Sequence, residues 1–533
     1  MKKILAVLLA LLMIGLCACG GQNGNKATDS PAQTGKAAEP AVGEAAEAED
    51  DYRVLRVGTM DSGGSFDPWS GTSGPQNYLA FETILMRTGT GEYEPWLAES
   101  VEWVDDTTLE IKLRDDAYFA DGDQVLGEDV VYTFYKSATA ASVMAVHFSN
   151  IDFEASTVSE DGLTVTFKLK QPYGPLMAYM DIPYVVNKSA CEDWGPSDER
   201  WWDSPPTSSA YEIVENVSGS HVTFRLREDY WNKDRMPQWD EIVINFYSNP
   251  TAMFIAFETG EIDIVLGVQN NDVDRLKSGD IQNAENIAYK QIPSKASYLL
   301  CMSPYKEEFN DIKVREAIAH VIDQDAIGAV AFGGEYLKSD SVICEGVNFY
   351  KSTGLYELDT EYAKQCMAES AYPDGFEINV VTMESDAPIW EVIQGCLAPL
   401  NISVNFQSYD MATSIGLWMQ EDGSDCMLIT AAGGNVTREP YADLSANWQN
   451  GMLCPARVLD PEYNEIFSKF VYTADTAVRE EYCGKIQQWL HDNYHCIPCG
   501  QPVYTFAYRS DKVGSCDFFS ATRANMLYAS PAA

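Results

Sequence analysis

Four residues late in the chain have the types and spacing of metal ligands: His491, His495, Cys496 and Cys499. Histidines at i and i+4 share one helix face, and a following Cys-x-x-Cys supplies thiolates, a combination typical of zinc sites. However, Trp489-Leu490 ends an amphipathic pattern, and Cys496 opens a strand-like stretch rather than a glycine-rich zinc knuckle. The pattern therefore favours buried thiols over a zinc site, and we expect neither a metal site nor a cofactor.

A second pattern, Ser303-Pro-Tyr-Lys306, matches the Ser-x-x-Lys of penicillin-binding enzymes, which use the serine as a nucleophile. The partner motifs Ser-Asp-Asn and Lys-Thr-Gly are missing, as are Gly-x-Ser-x-Gly and His-Glu-x-x-His. A glycosidase needs only two carboxylates in a cleft. With 80 acidic residues, the sequence does not exclude such a pair. We therefore predict no catalytic residues and a protein that is not an enzyme, with a secreted hydrolase as the alternative.

The charge of the chain limits its partners. Its 533 residues include 36 Lys+Arg and 80 Asp+Glu, which gives a formal net charge of −44. Nucleic-acid binding depends on Lys and Arg at the phosphates, and attraction to anionic lipid depends on a basic face. The composition therefore argues against both, and it favours neutral or cationic small solutes over polyanions.

The N-terminus has the features of a secretory signal. Met1-Lys2-Lys3 precedes an apolar run from Ile4 to Leu16, whose helical length of ~20 Å is too short to cross a membrane. Leu16-Cys17-Ala18-Cys19 resembles the bacterial lipobox, which predicts lipidation of Cys19 as the mature N-terminus. The acidic, non-aromatic stretch 19–51 is expected to be a flexible tether. The eleven cysteines beyond Cys19 are irregularly spaced, and most of them are expected to be small buried hydrophobes, with any disulfide pairing left open.

Hydropathy patterns indicate an α/β protein, with hairpins in the first half and helix–strand alternation in the second. Period-two patterns predict strands at Val54–Thr59, Thr108–Arg114, Leu163–Leu169, Val222–Leu226, Ile262–Val265, Phe376–Val381 and Ile402–Phe406. Helical patterns cover Tyr78–Met86, Glu128–Tyr135, Thr251–Thr259, Lys313–Val330, Thr360–Glu369 and Trp390–Leu397.

Several short segments occur in an order that resembles a known family. They are Pro95-Trp-Leu-Ala-Glu-Ser100, Phe119-Ala-Asp-Gly122, Glu128-Asp-Val-Val-Tyr-Thr-Phe134, Tyr211-Glu-Ile-Val, Asp229-Tyr-Trp231, Thr259-Gly-Glu-Ile-Asp263, Phe309-Asn-Asp-Ile-Lys-Val-Arg-Glu-Ala-Ile318 and Tyr372-Pro-Asp-Gly-Phe376. Together they resemble the extracytoplasmic solute-binding proteins of peptide- and nickel-type ABC importers, solute-binding family 5. The resemblance covers nearly all of the chain beyond the tether.

The resemblance implies a two-lobed, periplasmic-binding-protein-like α/β fold with a hairpin-rich subdomain in the first lobe and a ligand cleft between the lobes. The implied segments are the signal peptide (1–18), the tether (19–51), first-lobe pieces (52–83, 207–298 and 504–533), the inserted subdomain (84–206) and the second lobe (299–503). The lobes would close on a solute and present it to an ABC permease and its ATPase. A monomer anchored through its lipid alone is expected.

Peptide-binding relatives hold the peptide α-amino group with an Asp in a D-Y-x-D-P-like segment. The matching stretch here, Thr430–Pro440, keeps Glu439-Pro440 but lacks that Asp; Asn435 is the nearest polar substitute. Arg438 could instead hold a carboxylate or phosphate, or form a salt bridge at the surface of the lobe. The residues expected to line the cleft are Asp61, Ser65, Phe66, Trp69, Tyr409, Asn435, Arg438 and Tyr441.

The ligand stays open among an oligopeptide, a modified amino acid, a sugar oligomer and a chelated metal. A sensor or chaperone lipoprotein on the same fold is a further alternative.

Overall fold

The computed structural model describes residues 52–61, 65–69, 74–87, 92–140, 145–195, 198–203, 205–430, 437–520 and 523–532. Its strands are β1 (Val54–Thr59), β2 (Leu85–Arg87), β3 (Tyr93–Pro95), β4 (Ala98–Asp105), β5 (Thr108–Leu113), β6 (Ile151–Val158), β7 (Thr164–Leu169), β8 (Tyr211–Val217), β9 (His221–Leu226), β10 (Glu241–Phe246), β11 (Ile264–Val265), β12 (Ile287–Pro293), β13 (Tyr298–Met302), β14 (Tyr336–Leu337), β15 (Phe376–Met383), β16 (Ile402–Tyr409), β17 (Cys426–Thr430), β18 (Cys496–Arg509), β19 (Val513–Ser520) and β20 (Arg523–Pro531).

The helices are α1 (Asn77–Ala80), α2 (Gly127–Thr139), α3 (Ala145–Phe148), α4 (Lys188–Cys191), α5 (Arg200–Asp203), α6 (Pro250–Thr259), α7 (Asn270–Ser278), α8 (Ile312–Ala319), α9 (Gln324–Ala331), α10 (Thr360–Glu369), α11 (Ala387–Leu397), α12 (Met411–Trp418), α13 (Pro440–Leu444), α14 (Pro461–Val471) and α15 (Thr476–Asp492). In the described part of the chain, no helix is long and apolar enough to span a bilayer.

The first lobe is built around β1, which pairs in parallel with β10 on one side and β11 on the other. Parallel neighbours require a crossover, and α6 supplies it between β10 and β11. The Asn249 side chain accepts a hydrogen bond from the Ala252 amide at the start of α6, and Gly260 ends the helix with φ 82°. Leu55 and Val57 of β1 are fully buried in the core of this lobe.

The predicted hairpin-rich subdomain contains a four-stranded antiparallel sheet in the order β4-β5-β7-β6. Leu109, Ile111 and Leu113 alternate with polar residues along β5 and are at most 1% exposed. Helix α2 covers this face of the sheet, where the Phe134 ring lies 5.1 Å from that of Phe167. The period-two pattern of the sequence is therefore explained by one buried face.

The second lobe contains a parallel pair, β15 and β16, joined by α11. Trp390 of α11 is fully buried in a core that also contains residues of α8, α9 and α10. The sequence patterns over 360–406 therefore correspond to a helix followed by a β-α-β unit.

Two neighbouring stretches of chain connect the lobes. Strand β18 pairs with β13 of the second lobe through Cys496–Gly500, and with β12 of the first lobe through Val503–Arg509. Residues 294–297 link β12 directly to β13 beside it. A single ten-stranded sheet thus runs through both lobes.

Two predicted helices differ from the structure. The pattern over Lys313–Val330 is divided into α8 and α9, because Asp323 accepts hydrogen bonds from the amides of Asp325 and Ala326 and so begins a new helix. The pattern over Tyr78–Met86 contains only the short α1 and then β2. Its apolar residues are buried on all sides, so their spacing does not distinguish a helix from a strand.

Candidate ligand-binding site

Three basic residues from distant parts of the chain come together beside the connection between the lobes. Arg87 ends β2 in the first lobe, Lys295 lies between β12 and β13, and Arg438 precedes α13 in the second lobe. Among the causes of the lowered Lys295 pKa are the charges of Arg438 and Arg87, which places all three side chains within electrostatic range of one another. We call Arg87, Lys295 and Arg438 the basic cluster.

Arg87 is held by a buried carboxylate. Its Nη2 donates to Oδ2 of Asp181 at 2.5 Å, and the two side chains are 9% and 8% exposed. The Arg87 Nε is buried and has no hydrogen-bond partner among the described residues. Asp181 therefore neutralises one charge of the basic cluster.

Arg438 lies on a segment fixed by its neighbours. The Tyr93 hydroxyl of the first lobe lies 2.6 Å from the Thr437 carbonyl oxygen, to which it donates. The Arg438 carbonyl oxygen accepts a hydrogen bond from the Asn348 amide at 3.0 Å, and Arg438 itself has φ 55°. These contacts determine where the guanidinium can reach.

The Arg438 side chain has no ion pair or hydrogen bond within the described part of the chain, and its Nε is buried. Burial lowers the pKa of Arg438, and the positive charge of Arg87 lowers it further. The exposed Glu92, beside β3, acts in the opposite direction and raises the pKa of Arg438. A desolvated guanidinium beside a second one is an unfavourable arrangement that an anion would relieve.

Burial and neighbouring positive charges also disfavour the charged form of Lys295. Burial lowers its pKa to about 8, and the charges of Arg438 and Arg87 contribute in the same direction. A Cβ built on Gly346 would lie 3.6 Å from the Lys295 Cε, so the lysine contacts the loop whose Asn348 amide holds Arg438. The loop around residues 346–348 thus brings Lys295 and Arg438 to the same place.

A small cavity adjoins the basic cluster at Arg87. Its volume is ≈ 20 Å³, enough for a water molecule, and its lining residues are Tyr78, Thr83, Met86, Arg87, Asp181, Asn525 and Leu527. A peptide or a sugar does not fit this volume. Next to it, the apolar core is continuous between the subdomain and the second lobe, as in the packing of Tyr173 against Tyr441 at 5.6 Å.

Phe66 and Trp69, predicted to line the cleft, pack in the first-lobe core. They are 1% and 4% exposed, and the Trp69 ring meets that of Trp201 edge-on at 5.2 Å. Ser65 Oγ accepts a hydrogen bond from the Asp67 amide, and the Asp61 amide donates to Thr59 Oγ1. Ligand contact by these first-lobe residues stays a prediction.

The predicted second-lobe residues lie in different surroundings. Tyr409 ends β16 and donates its hydroxyl to Gln407 at 2.6 Å, whereas Tyr441 is buried in α13, three residues after Arg438. Asn435 and the predicted lipidation site Cys19 lie outside the described residues. The structure thus brings Arg438 and Tyr441 near each other, and their ligand contacts stay predictions.

Sequence reasoning did not identify Arg87, Asp181 or Lys295. Arg87 follows the apolar pair Leu85-Met86 and is buried, and a charge at a buried strand position is a signal for a specific partner. Lys295 has no comparable signal, since it lies in a polar connection whose burial depends on the packing of both lobes.

Three of the four possible zinc ligands, His491, Cys496 and Cys499, have contacts with other residues. The His491 ring stacks on Tyr356 with centroids 4.6 Å apart, and Cys496 Sγ lies 3.4 Å from Cys301 Sγ. Cys499 Sγ donates to the Ile497 carbonyl oxygen. Across the described ranges, no three His, Cys, Asp or Glu residues are arranged to hold a metal ion.

The Ser-x-x-Lys segment does not form a nucleophile pair. The Lys306 Nζ donates to the Glu377 carbonyl oxygen at 3.0 Å and lies 3.5 Å from Asp425 Oδ2. Ser303 Oγ accepts a hydrogen bond from the Tyr305 amide. The Lys306 amine is therefore occupied by groups other than the Ser303 hydroxyl.

Comparisons with known proteins agree with the two-lobed architecture. The nickel-binding protein NikA of Staphylococcus aureus is 22% identical over 344 residues, which cover 64% of this chain and 66% of that protein. The ABC transporter substrate-binding protein CtaP of Listeria monocytogenes matches with a TM-score of 0.76 and 18% identity, covering 87% of this chain and 96% of that chain.

The periplasmic binding protein DppA of Helicobacter pylori, solved in complex with the peptide STSA, matches with a TM-score of 0.70 and 21% identity over 89% of this chain and 96% of that chain. These relatives are binding proteins rather than enzymes. The family model of bacterial extracellular solute-binding proteins, family 5 (middle), matches residues 92–451. The chain therefore belongs to the family 5 extracellular solute-binding proteins, the solute-binding components of ABC importers.

Proposed function

We propose that this protein is a lipid-anchored, monomeric solute-binding component that captures an oligopeptide-like or other small solute between its lobes and delivers it to an ABC permease. The basic cluster at the contact of the lobes supports the capture site. Its three cations come from the first lobe, the connection and the second lobe, so a ligand bound there would contact all three parts.

The ligand presents an anionic group, most simply a carboxylate, to Arg438 and Lys295. Asp181 neutralises Arg87, whereas no described residue forms an ion pair with Arg438. A carboxylate would accept two parallel hydrogen bonds from a guanidinium and offset part of its desolvation. The local charge thus has the opposite sign to that of the whole chain.

A peptide amine has no acidic partner at the position expected from the resemblance to peptide binders. Glu439 is the acid that remains in this segment, and both of its carboxylate oxygens contact Arg479. An α-amino group would therefore compete with a buried guanidinium for Glu439. Among the solutes left open by the sequence, peptides, modified amino acids and carboxylate chelates of metals fit the basic cluster better than uncharged sugars.

Native mass spectrometry of the protein freshly purified from membranes tests for a retained solute, and a thermal-shift screen then tests candidates. The screen compares peptides with free or amidated C-termini, sugar oligomers and nickel–histidine. A bound solute at 100 times its Kd adds about 2.7 kcal/mol to the free energy of unfolding. If none of these classes shifts the melting temperature, the proposed solute classes are wrong.

Matched variants test the basic cluster itself. Arg438→Gln removes a guanidinium that has no ion pair among the described residues, whereas Arg53→Gln removes an arginine that is 47% exposed and pairs with Asp240 at the surface. We expect Arg438→Gln to weaken binding of a solute with a free carboxylate at least tenfold, and Arg53→Gln to leave it unchanged. Equal affinities for free and amidated ligands would contradict the carboxylate contact.

The anchor and the permease are tested separately. Metabolic labelling with a palmitate analogue should modify wild type and Cys17→Ala but not Cys19→Ala. Light scattering of the detergent-purified protein should give the mass of one chain.

A permease encoded beside the gene should bind the ligand-loaded protein more tightly than the ligand-free protein; equal binding would favour a sensor role.

A further inference from the structure

Two of the buried cysteines are neighbours in the second lobe. Cys301 lies in β13 and Cys496 begins β18, and they are directly opposite each other in the antiparallel pairing of these strands. Their Sγ atoms are 3.4 Å apart, and the residues are 0% and 1% exposed. No other sulfur–sulfur contact occurs among the cysteines in the described ranges.

The backbone geometry of this pair suits a disulfide. Opposite residues of antiparallel strands have Cα atoms about 4.5–5.5 Å apart, within the range of about 4.4–6.8 Å that disulfides span. Both side chains already point toward each other, so rotation about the side-chain torsions brings the sulfurs from contact to bonding distance.

The surroundings distinguish the two thiols chemically. Either sulfur can donate the hydrogen bond between the two thiols. With Cys301 as the donor, this bond holds the pKa of Cys496 below its usual range, and the His495 and Asn447 side chains act in the same direction. The Asn447 Nδ2 lies 3.0 Å from the Cys496 Sγ. The same hydrogen bond between the two thiols and burial both raise the pKa of Cys301. Once the two strands have paired, these contacts favour a thiolate on Cys496 over one on Cys301.

We propose that Cys301 and Cys496 form an intrachain disulfide when the protein folds outside the cytoplasm. The oxidant is a disulfide, either oxidised glutathione or the active-site disulfide of a thiol oxidoreductase. The thiolate of one of the two cysteines attacks one sulfur of that disulfide, breaks its S–S bond and releases one thiolate, which leaves a mixed disulfide on that cysteine. The other cysteine then loses its proton, attacks the Sγ of the first and releases the second thiolate.

The atoms and electrons of this exchange balance. Two protein thiols lose two electrons and two protons, and the oxidant disulfide becomes two thiols. Because both sulfurs are buried in the folded protein, the exchange takes place before the sheet of the second lobe is complete. Disulfides persist in extracytoplasmic compartments, where this family functions.

The cross-link would act on the whole second lobe. Cys301 and Cys496 are 195 positions apart, and β13 and β18 enclose most of this lobe in sequence. Closing so long a loop removes conformations from the unfolded chain, so the oxidised protein should melt at a higher temperature than the reduced protein. The melting temperature is therefore a second readout.

Peptide mapping without reduction tests the proposal. The full-length protein is extracted from membranes in N-ethylmaleimide, denatured in the same reagent and digested. A peptide pair joined through Cys301 and Cys496, lighter by two hydrogen atoms than the two free peptides, is the expected result. Both cysteines labelled with N-ethylmaleimide, or either joined to a different cysteine, would overturn the proposal.

Variants and refolding provide the controls. Cys301→Ser should leave Cys496 labelled with N-ethylmaleimide. Cys426→Ser is the matched control, because Cys426 is an equally buried cysteine of the neighbouring strand β17, and it should keep the link between Cys301 and Cys496. Wild type that has been denatured, reduced and refolded with reduced and oxidised glutathione should regain the same link. This result does not depend on whether Cys301→Ser folds; failure to regain the link would count against the proposal.

Discussion

Glu439 and Arg479 form a buried, two-point ion pair, with Glu439 Oε1 2.6 Å from Arg479 Nη2 and Glu439 Oε2 3.2 Å from Arg479 Nη1. The residues are 1% and 7% exposed. The Glu439 side chain also accepts a hydrogen bond from the Tyr441 amide and so begins α13. This one contact ties helix α15 to the segment that carries Arg438.

Removal of one partner from this pair should be strongly destabilising. Glu439→Gln leaves a buried guanidinium without its counter-charge, so we expect a loss of about 3–5 kcal/mol in the free energy of unfolding. Urea denaturation followed by tryptophan fluorescence measures it. Glu465→Gln breaks an exposed pair with Lys469 and should cost less than about 1 kcal/mol; similar losses in the two variants would contradict the role of burial.

Glu82 should make stability depend on pH near neutrality. Burial raises its pKa to about 7, although Tyr230, Trp231 and Trp96 donate hydrogen bonds to its carboxyl oxygens. Because the folded pKa lies above the unfolded value of 4.5, the contribution of Glu82 to stability is complete below pH 4.5 and is lost as the pH rises through 7.

Glu82→Gln imitates the protonated acid and should remove this dependence. We expect the variant to gain roughly 2–3 kcal/mol over wild type at pH 8 and little at pH 5. Unfolding curves at a series of pH values measure the difference, with the exposed Glu110→Gln as the control. Parallel pH profiles for Glu82→Gln and wild type would refute the assignment.

His147 should have the opposite effect on the acid side. Burial lowers its pKa to about 3, and its ring stacks on Tyr179 at 3.7 Å and lies 5.8 Å from that of Tyr441 in the second lobe. Since the folded pKa lies below the unfolded value of 6.5, the stability it contributes is present above pH 6.5 and is lost as the pH falls toward 3.

His147→Gln should therefore be less stable than wild type at pH 7 but lose less stability between pH 6.5 and 4. Guanidinium unfolding at these pH values checks the prediction. His221→Gln, which removes a partly exposed histidine beside Glu215, is the matched control and should leave the acid profile unchanged. An unaltered acid profile in His147→Gln would mean that other groups control acid unfolding.

The lowered pKa of Lys295 offers a direct test of the basic cluster without a ligand. Since the charge of Arg438 contributes to this effect, Arg438→Gln should raise the pKa of Lys295 from about 8 by roughly half a unit to one unit. NMR titration of ¹³C-methylated lysines, with the Lys295 signal assigned from Lys295→Arg, measures it. The control Arg53→Gln should leave the titration of Lys295 unchanged. An unchanged titration in Arg438→Gln would show that Arg438 and Lys295 do not interact.

The same titration predicts how binding depends on pH. In the folded protein the pKa of Lys295 is about 8, below the ordinary value of 10.5. The Lys295 cation therefore destabilises the fold below pH 8, and this penalty disappears as the pH rises toward 10.5. An anionic ligand would raise the pKa of Lys295. The affinity for the ligand should therefore fall as the pH rises above 8. Binding should be accompanied by proton uptake, which calorimetry in two buffers can measure.

Sequence patterns predicted regular elements well where one face is buried. The helix over Thr360–Glu369 matches α10, and the strand over Thr108–Arg114 matches β5 to within one residue. Both elements have one buried face, so hydrophobic periodicity contains the necessary information. In contrast, the division between α8 and α9 depends on the cap at Asp323, which the periodicity of their apolar residues does not reveal.

The basic cluster was predicted only in part, for a different reason. Arg438 was identified because it interrupts a segment that resembles the family pattern. Arg87 and Lys295 are 208 positions apart in the sequence, and the fold brings them within electrostatic range of each other. Such a meeting depends on tertiary structure, and a single sequence contains no periodic signal for it.

The continuous strand β18 has a geometric consequence for any solute held beside it. A rotation that parts the lobes about this strand moves each atom by an arc proportional to its distance from the axis. Lys295, in the adjacent connection, has a short lever arm, whereas the outer rims of the lobes have long ones. A ligand anchored at Lys295 would therefore keep that end in contact while its far end is released first.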